Sequence, residues 1–138
     1  IDTLAFADVI GAAARRRPGD CQPARERAAR AEAWFASHDL KLPDEHTMRA
    51  RGALIAGLCL LERDNPTVAA QLLARRLADA AHARAAERGR ARGALAIARF
   101  EIGDRAAASA SLATARDLAN DRVRTSLATW AKAVGLEP

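Results

Sequence analysis

Five residues, Ala50-Arg51-Gly52-Ala53-Leu54, return in the same order further along the chain as Ala91-Arg92-Gly93-Ala94-Leu95. Each copy opens a stretch with apolar residues at helical spacing, followed by a turn and a second such stretch. The second stretches match too: Ala69 and Leu73 in one copy, Ala108, Leu112 and then Ala115 in the other. A less regular copy precedes them, from about Asp2 to Ser37, with Ala24, Ala28 and Ala31 at equivalent positions. A helix–turn–helix unit cannot bury its apolar face alone, so units that recur at this length are expected to stack into a solenoid.

Composition agrees with that constraint. About a quarter of the chain is alanine, the best helix former and a residue small enough to let helices approach closely. Tyrosine is absent and aromatics make up 4%, which deprives a strand-rich fold of its favoured residues. With 138 residues, 50% hydrophobic and 28% charged, one compact domain spanning 1–138 is expected. Ile1 in place of an initiating Met predicts that this domain is an internal segment of a longer protein.

Punctuation along the chain places seven helices. Asp2 caps the first, about 2–17, and Pro18-Gly19-Asp20 ends it. Pro23 suits the first turn of the second, about 23–37. Asp44 caps a third over 45–63, and Asn65-Pro66 starts a fourth that runs to 87 and stops at Gly89. A fifth covers 90–102 and ends at Gly103, a sixth covers 105–119 behind Asp104, and a seventh covers 122–135. The expected fold is all-α: about three antiparallel helix hairpins plus a terminal helix.

The pairing of small and bulky residues has a tetratricopeptide-like form, in which a small residue on the first helix meets a small residue early on the second. A bulky residue follows four positions later and a small one seven later. Gly57, Ala69 and Leu73 fit in one copy, and Ala96, Ala108, Leu112 and Ala115 in the other. Arg76 takes a place where a small residue is usual. Such units normally form a right-handed superhelix with a concave ligand surface lined by the first helices.

The order of segments from Ala31 to Leu127 resembles the helical-repeat region of MalT-like members of the LuxR family of bacterial transcriptional regulators. "AEAWFASHDLKLPDE" leads into a helix, and "LLERDNPTVAAQLLARRLADAAHARAAERGR" follows. Then come "ARGALAIARFEIGDRAAASASLATARDLA" and "DRVRTSL". Trp34, Leu40, Leu42, Gly89, Arg90, Gly103, Asp104, Ala107, Ala108, Val123, Arg124 and Thr125 stand where that pattern has them, with Gly89-Arg90 as a joint between hairpins. Ser126 replaces an aromatic residue of the pattern. The resemblance covers about two thirds of the chain and implies a sensor superhelix. In the family it lies between an ATP-binding module and a helix-turn-helix DNA-binding domain, so DNA would be met only through a separate domain. No G-x-x-x-x-G-K-[ST] loop occurs in this sequence.

Chemistry of its own is not expected, nor a cofactor. His38, His46 and His82 form no ligand-spaced cluster, and there is no G-x-S-x-G. Cys21 and Cys59 lack a C-x-x-C pattern and read as reduced thiols of a cytoplasmic protein, Cys59 within an apolar core run. No apolar run approaches membrane-spanning length, so no membrane partner is expected. The net charge of +5 rests on 22 basic residues interleaved with 17 acidic ones, without the aromatic platform of a nucleic-acid binder. Asp79 and Glu87, with Arg75, Arg76, Arg84 and Arg88 near them, read as a solvated charged face. Trp34 and Trp130 read as interhelix packing.

Binding is therefore the expected function. With Gly57 and Ala96 taken as equivalent, the concave face carries Arg51, Leu58, Leu61 and Glu62 in one copy and Arg90, Ile97, Phe100 and Glu101 in the next. Phe6, Arg16 and Arg17 come from the irregular copy. Arginines beside apolar residues suit a small anionic effector or an acidic peptide. The neighbouring domains of a parent regulator are further partners. A plain adaptor that holds a partner protein's peptide, with no role in transcription, fits the same face.

Overall fold

The computed structural model describes residues 21–79 and 81–136, and the expected helix 2–17, with Phe6, Arg16 and Arg17, lies outside them. Within them the chain is all helical: α1 (Cys21–Ala36), α2 (Pro43–Glu62), α3 (Pro66–Asp79), α4 (Ala85–Ile102), α5 (Arg105–Leu118) and α6 (Asp121–Val134). Each helix packs on its sequence neighbour, and in addition α2 meets α4 and α4 meets α6. α1 and α3 do not come into backbone contact, nor do α3 and α5.

Two hairpins, α2–α3 and α4–α5, share a register, but not the one that the recurring pentapeptide suggests. Pro66 and Arg105 open the second helices and Asp79 and Leu118 close them, so one constant offset relates α3 to α5. The turns before them share a bonding pattern. Asp64 and Gly103 both have positive φ, 55° and 98°. Asn65 N–H bonds to Leu60 C=O at 2.9 Å, and Asp104 N–H to Arg99 C=O at 3.0 Å. Asn65 Oδ1 accepts from Val68 N–H at 3.4 Å and Asp104 Oδ1 from Ala107 N–H at 3.1 Å, capping the helices that follow.

Gly57 and Ala96 are equivalent in this packing register, as expected. The pentapeptides are not: the same offset carries Gly52 onto Ala91, two places short of Gly93. Two positions on an α-helix turn a side chain by about 200°, so Gly52 and Gly93 face opposite ways.

Side chains follow the packing register. A Cβ at Gly57 would stand 2.8 Å from both Cγ and Cδ1 of Leu73, and Leu73 is 0% exposed. Ala96 shares a buried cluster with Ala108, Leu112, Ala115, Leu127 and Ala131. Leu54, Leu73, Leu77, Ala91, Ala94 and Leu95 form the cluster that joins the first hairpin to α4. At the far end α6 supplies Leu127 and Ala131, its N-terminus capped by Asn120, whose Oδ1 accepts from Val123 N–H at 3.0 Å.

The fourth expected helix, 66–87, is divided. α3 ends at Asp79 and α4 begins at Ala85. No Gly or Pro marks the break, which is held by tertiary bonds instead. Arg84 N–H donates to Thr47 Oγ1 at 3.0 Å and the Arg84 guanidinium to Asp44 Oδ1 at 2.6 Å. Ala83 is buried against Ala50. Gly89, expected as a stop, therefore lies inside α4. A Cβ there would come within 3.0 Å of Ala119 N and 3.2 Å of Leu118 C, so glycine lets the first turns of α4 touch the end of α5. The N-cap of α2 is Leu42, not Asp44, and Glu45 accepts from Leu42 N–H at 3.1 Å.

Candidate binding groove

Because α1 and α3 flank α2 without backbone contact, a groove of about 320 Å³ opens between them. Its floor is apolar: Phe35 of α1, Gly52, Ala53, Ala56 and Leu60 of α2, and Leu72 of α3. Three small residues of α2 leave the space. A Cβ at Gly52 would meet no atom within 4 Å.

The rim is charged. Glu32 of α1 receives the Arg49 guanidinium in a forked bond, Nε to both carboxylate oxygens at 3.1 Å and Nη2 to Oε1 at 2.6 Å. Arg76 of α3 reaches the same Oε1 at 2.8 Å. Asp79 stands 3.6 Å from Arg76 and 3.8 Å from Arg49. The bond to Glu32 raises the Arg49 pKa above its ordinary value against the opposing pull of burial, with Glu32 and Asp79 adding field in the same direction. Arg25 lines the groove as well. The small residue missing from the repeat pattern at Arg76 has its explanation here. In the second hairpin the equivalent residue is Ala115, 0% exposed, whereas in the first Arg76 ties α3 to α1 across the open groove.

None of the described residues expected on a concave face lines this groove. The structure brings two of them together elsewhere. Arg51 of α2 donates through Nε and Nη2 to Glu87 Oε1 at 3.0 and 2.6 Å, and Arg90 of α4 lies 3.9 Å from the same oxygen. Glu87 is 5% exposed, so the expected solvated face is wrong at this position: it is a buried tie between α2 and α4. Arg51 and Glu87, with Asp44 and Arg84, border a second, more polar hollow of about 440 Å³. Leu58 packs on the Leu54–Leu95 cluster, and Ile97 is half-buried. Phe100 meets Trp130 of α6 edge to face at 5.8 Å, with the Arg105 guanidinium 5.5 Å from its ring. Glu62 is half-buried with Oε1 shielded, and Glu101 is exposed.

Three further expectations change. Trp130 packs between helices, but Trp34 is 46% exposed and stacks on His38 at 4.0 Å. His46 and His82, far apart in sequence, meet with ring centroids 5.4 Å from each other, because the break before α4 turns His82 back toward the start of α2. Cys59 is not a free thiol. It is disulfide-bonded and 0% exposed, and the chain's other cysteine, Cys21, is the first residue of α1.

Among the described residues no helix is long and apolar enough to cross a membrane, and no group of three or more His, Cys, Asp or Glu could hold a metal ion. Comparison with protein-family models, with curated proteins and with solved structures finds no match.

Proposed function

We propose that the chain is an effector-sensing or protein-interaction segment of a bacterial, cytoplasmic MalT-like LuxR-family transcriptional regulator, built as a tetratricopeptide-like right-handed superhelix and without catalysis of its own. The observation that carries the binding role is the groove over α2, with its apolar floor and charged rim. A ligand seated there touches α1, α2 and α3 together and so biases how successive hairpins stack. The common register of the two hairpins supports the repeat architecture, and the segment order from Ala31 to Leu127 supports the parent family.

The reading frame around these residues tests it. A nucleotide-binding module upstream and a helix-turn-helix domain downstream are the expected result, and a frame with neither removes the regulator reading. In the intact regulator, Ala56→Leu, which fills the groove floor, should change reporter output from the target promoter while leaving protein level unaltered.

A second reading, an adaptor that holds a partner protein's peptide and regulates no promoter, is favoured by Cys59. Disulfides are rare in the reducing cytoplasm where a DNA-bound regulator works, and Cys59 is disulfide-bonded. Thiol alkylation and mass spectrometry on the protein trapped in cells separate the two. Cys59 found reduced fits the regulator, and Cys59 found oxidised fits an adaptor of an oxidising compartment.

A further inference from the structure

We infer that the groove between α1 and α3 binds a small organic anion, a carboxylate carried on an apolar body, resting on the reading that this groove is the chain's binding site. Charge decides the class. Three arginines, Arg25, Arg49 and Arg76, border the groove against one carboxylate, Glu32. Counting Asp79, 3.6 Å from Arg76 and 44% exposed, a positive charge still remains in excess.

Glu32 does not exhaust its partners. A guanidinium has five N–H donors in a fixed fork; Arg49 commits Nε and Nη2 to Glu32, and Arg76 commits Nη1. Glu32 thus holds two guanidinium groups side by side at the lip of an apolar slot. A planar carboxylate is the group that such forks recognise, through short charge-assisted bonds. An ammonium would meet like charge, and a neutral amide would forgo the charge-assisted part.

Size decides the rest. At about 320 Å³ the groove lies at the low end of the range for small-molecule sites, a size that suits a compact ligand. Phe35, Ala56, Leu60 and Leu72 give an apolar body its contacts, and the open space above Gly52 is where that body seats.

The test is isothermal titration of the whole chain with 4-phenylbutanoate, its amide and the corresponding amine, at low and high salt. Saturable binding of the carboxylate is expected, at least about tenfold tighter than the amide, which is about 1.4 kcal/mol. The amine should not bind. Arg76→Gln should weaken the carboxylate about tenfold and leave the amide unchanged, a split that loss of structure would not give. Ala56→Leu should abolish both, and Arg122→Gln, an exposed arginine of α6, should alter neither.

Equal affinity for carboxylate and amide overturns the anion assignment, as does a loss in Arg122→Gln equal to that in Arg76→Gln, or the absence of any heat at millimolar ligand. Binding of the amine alone overturns the anion class and leaves the groove a binding site. A reading frame without a DNA-binding domain removes the regulator and leaves the anion site untouched.

Discussion

The first hairpin, α2–α3, places a glycine under its central leucine, Gly57 beneath Leu73, where the second, α4–α5, places Ala96 beneath Leu112. The first leaves a groove on its outer side and spans it with Arg76, whereas the second has buried Ala115 at that position. The backbone plan is the same in both, down to the positive-φ residue and the Asx cap between the helices. The difference lies in side-chain volume at a few register positions. A repeat fold fixes where side chains stand, and a single exchange of a small residue for a charged one, Ala115 for Arg76, changes what stands at a unit's edge.

The two hairpins should differ most at their central leucines. Leu73 and Leu112 are both 0% exposed, so alanine at either should cost about 2–5 kcal/mol, read by chemical denaturation. Leu73→Ala should be the worse of the two, since Gly57 has no side chain to move into the space. Equal costs would mean that the helices close up around the cavity and that the glycine is not what sets the α2–α3 distance.

Next in size is the reciprocal exchange. Gly57→Ala sets a methyl 2.8 Å from Leu73 Cγ, within the leucine's branch rather than at a free tip. Overpacking of about 1–3 kcal/mol is expected, partly offset by the helix propensity of alanine. Ala96→Gly loses about 1 kcal/mol of propensity and a small contact. Stabilisation by Gly57→Ala would break the argument that this glycine is required by close approach.

How much of this was legible in the sequence divides along a physical line. Helix type, turn residues and the small-on-large pairing are local, and Asn65, Asp104, Gly103 and Asn120 announce their caps directly. The break after Asp79 was not legible, because it is held by Asp44 and Thr47, on a helix far earlier in the chain. The groove was hidden for a related reason. Matching the pentapeptide letters pairs Gly52 with Gly93, while the packing pairs Gly52 with Ala91. The rim residues Glu32, Arg49 and Arg76 become neighbours only through the tertiary fold. The one signal in the sequence was Arg76 itself, an arginine where the repeat takes a small residue.

That signal gives a smaller prediction. Arg76→Ala makes the first hairpin resemble the second and should cost about 0.5–1.5 kcal/mol, since the rim is partly screened by solvent. Its interaction with Glu32→Gln in a double-mutant cycle should exceed that of either with Arg122→Gln. Arg49 adds a sign. Its folded pKa is raised, so its contribution is complete below the unfolded value and is lost only as pH rises past the folded one. Arg49 therefore contributes no slope to stability between about pH 5 and pH 9, well below the range in which arginine titrates.

The smallest effects are the most decisive for register. Gly52 and Gly93 hold the same place in the same pentapeptide, and letter-matching predicts the same response to alanine at both. The packing predicts different responses. At Gly52 a methyl enters open space, so alanine should stabilise by the helix-propensity difference, about 0.5–1 kcal/mol. At Gly93 it meets Leu127 Cδ2 at 2.8 Å, with Cδ1 at 3.4 Å, so a side-chain tip of α6 must turn aside and the propensity gain is cancelled or reversed. Melting temperatures of the two single variants and of the pair decide it. Stabilisation at both positions would show that α6 yields at Leu127 without cost, and the α4–α6 contact would then no longer distinguish the packing register from the register of the letters.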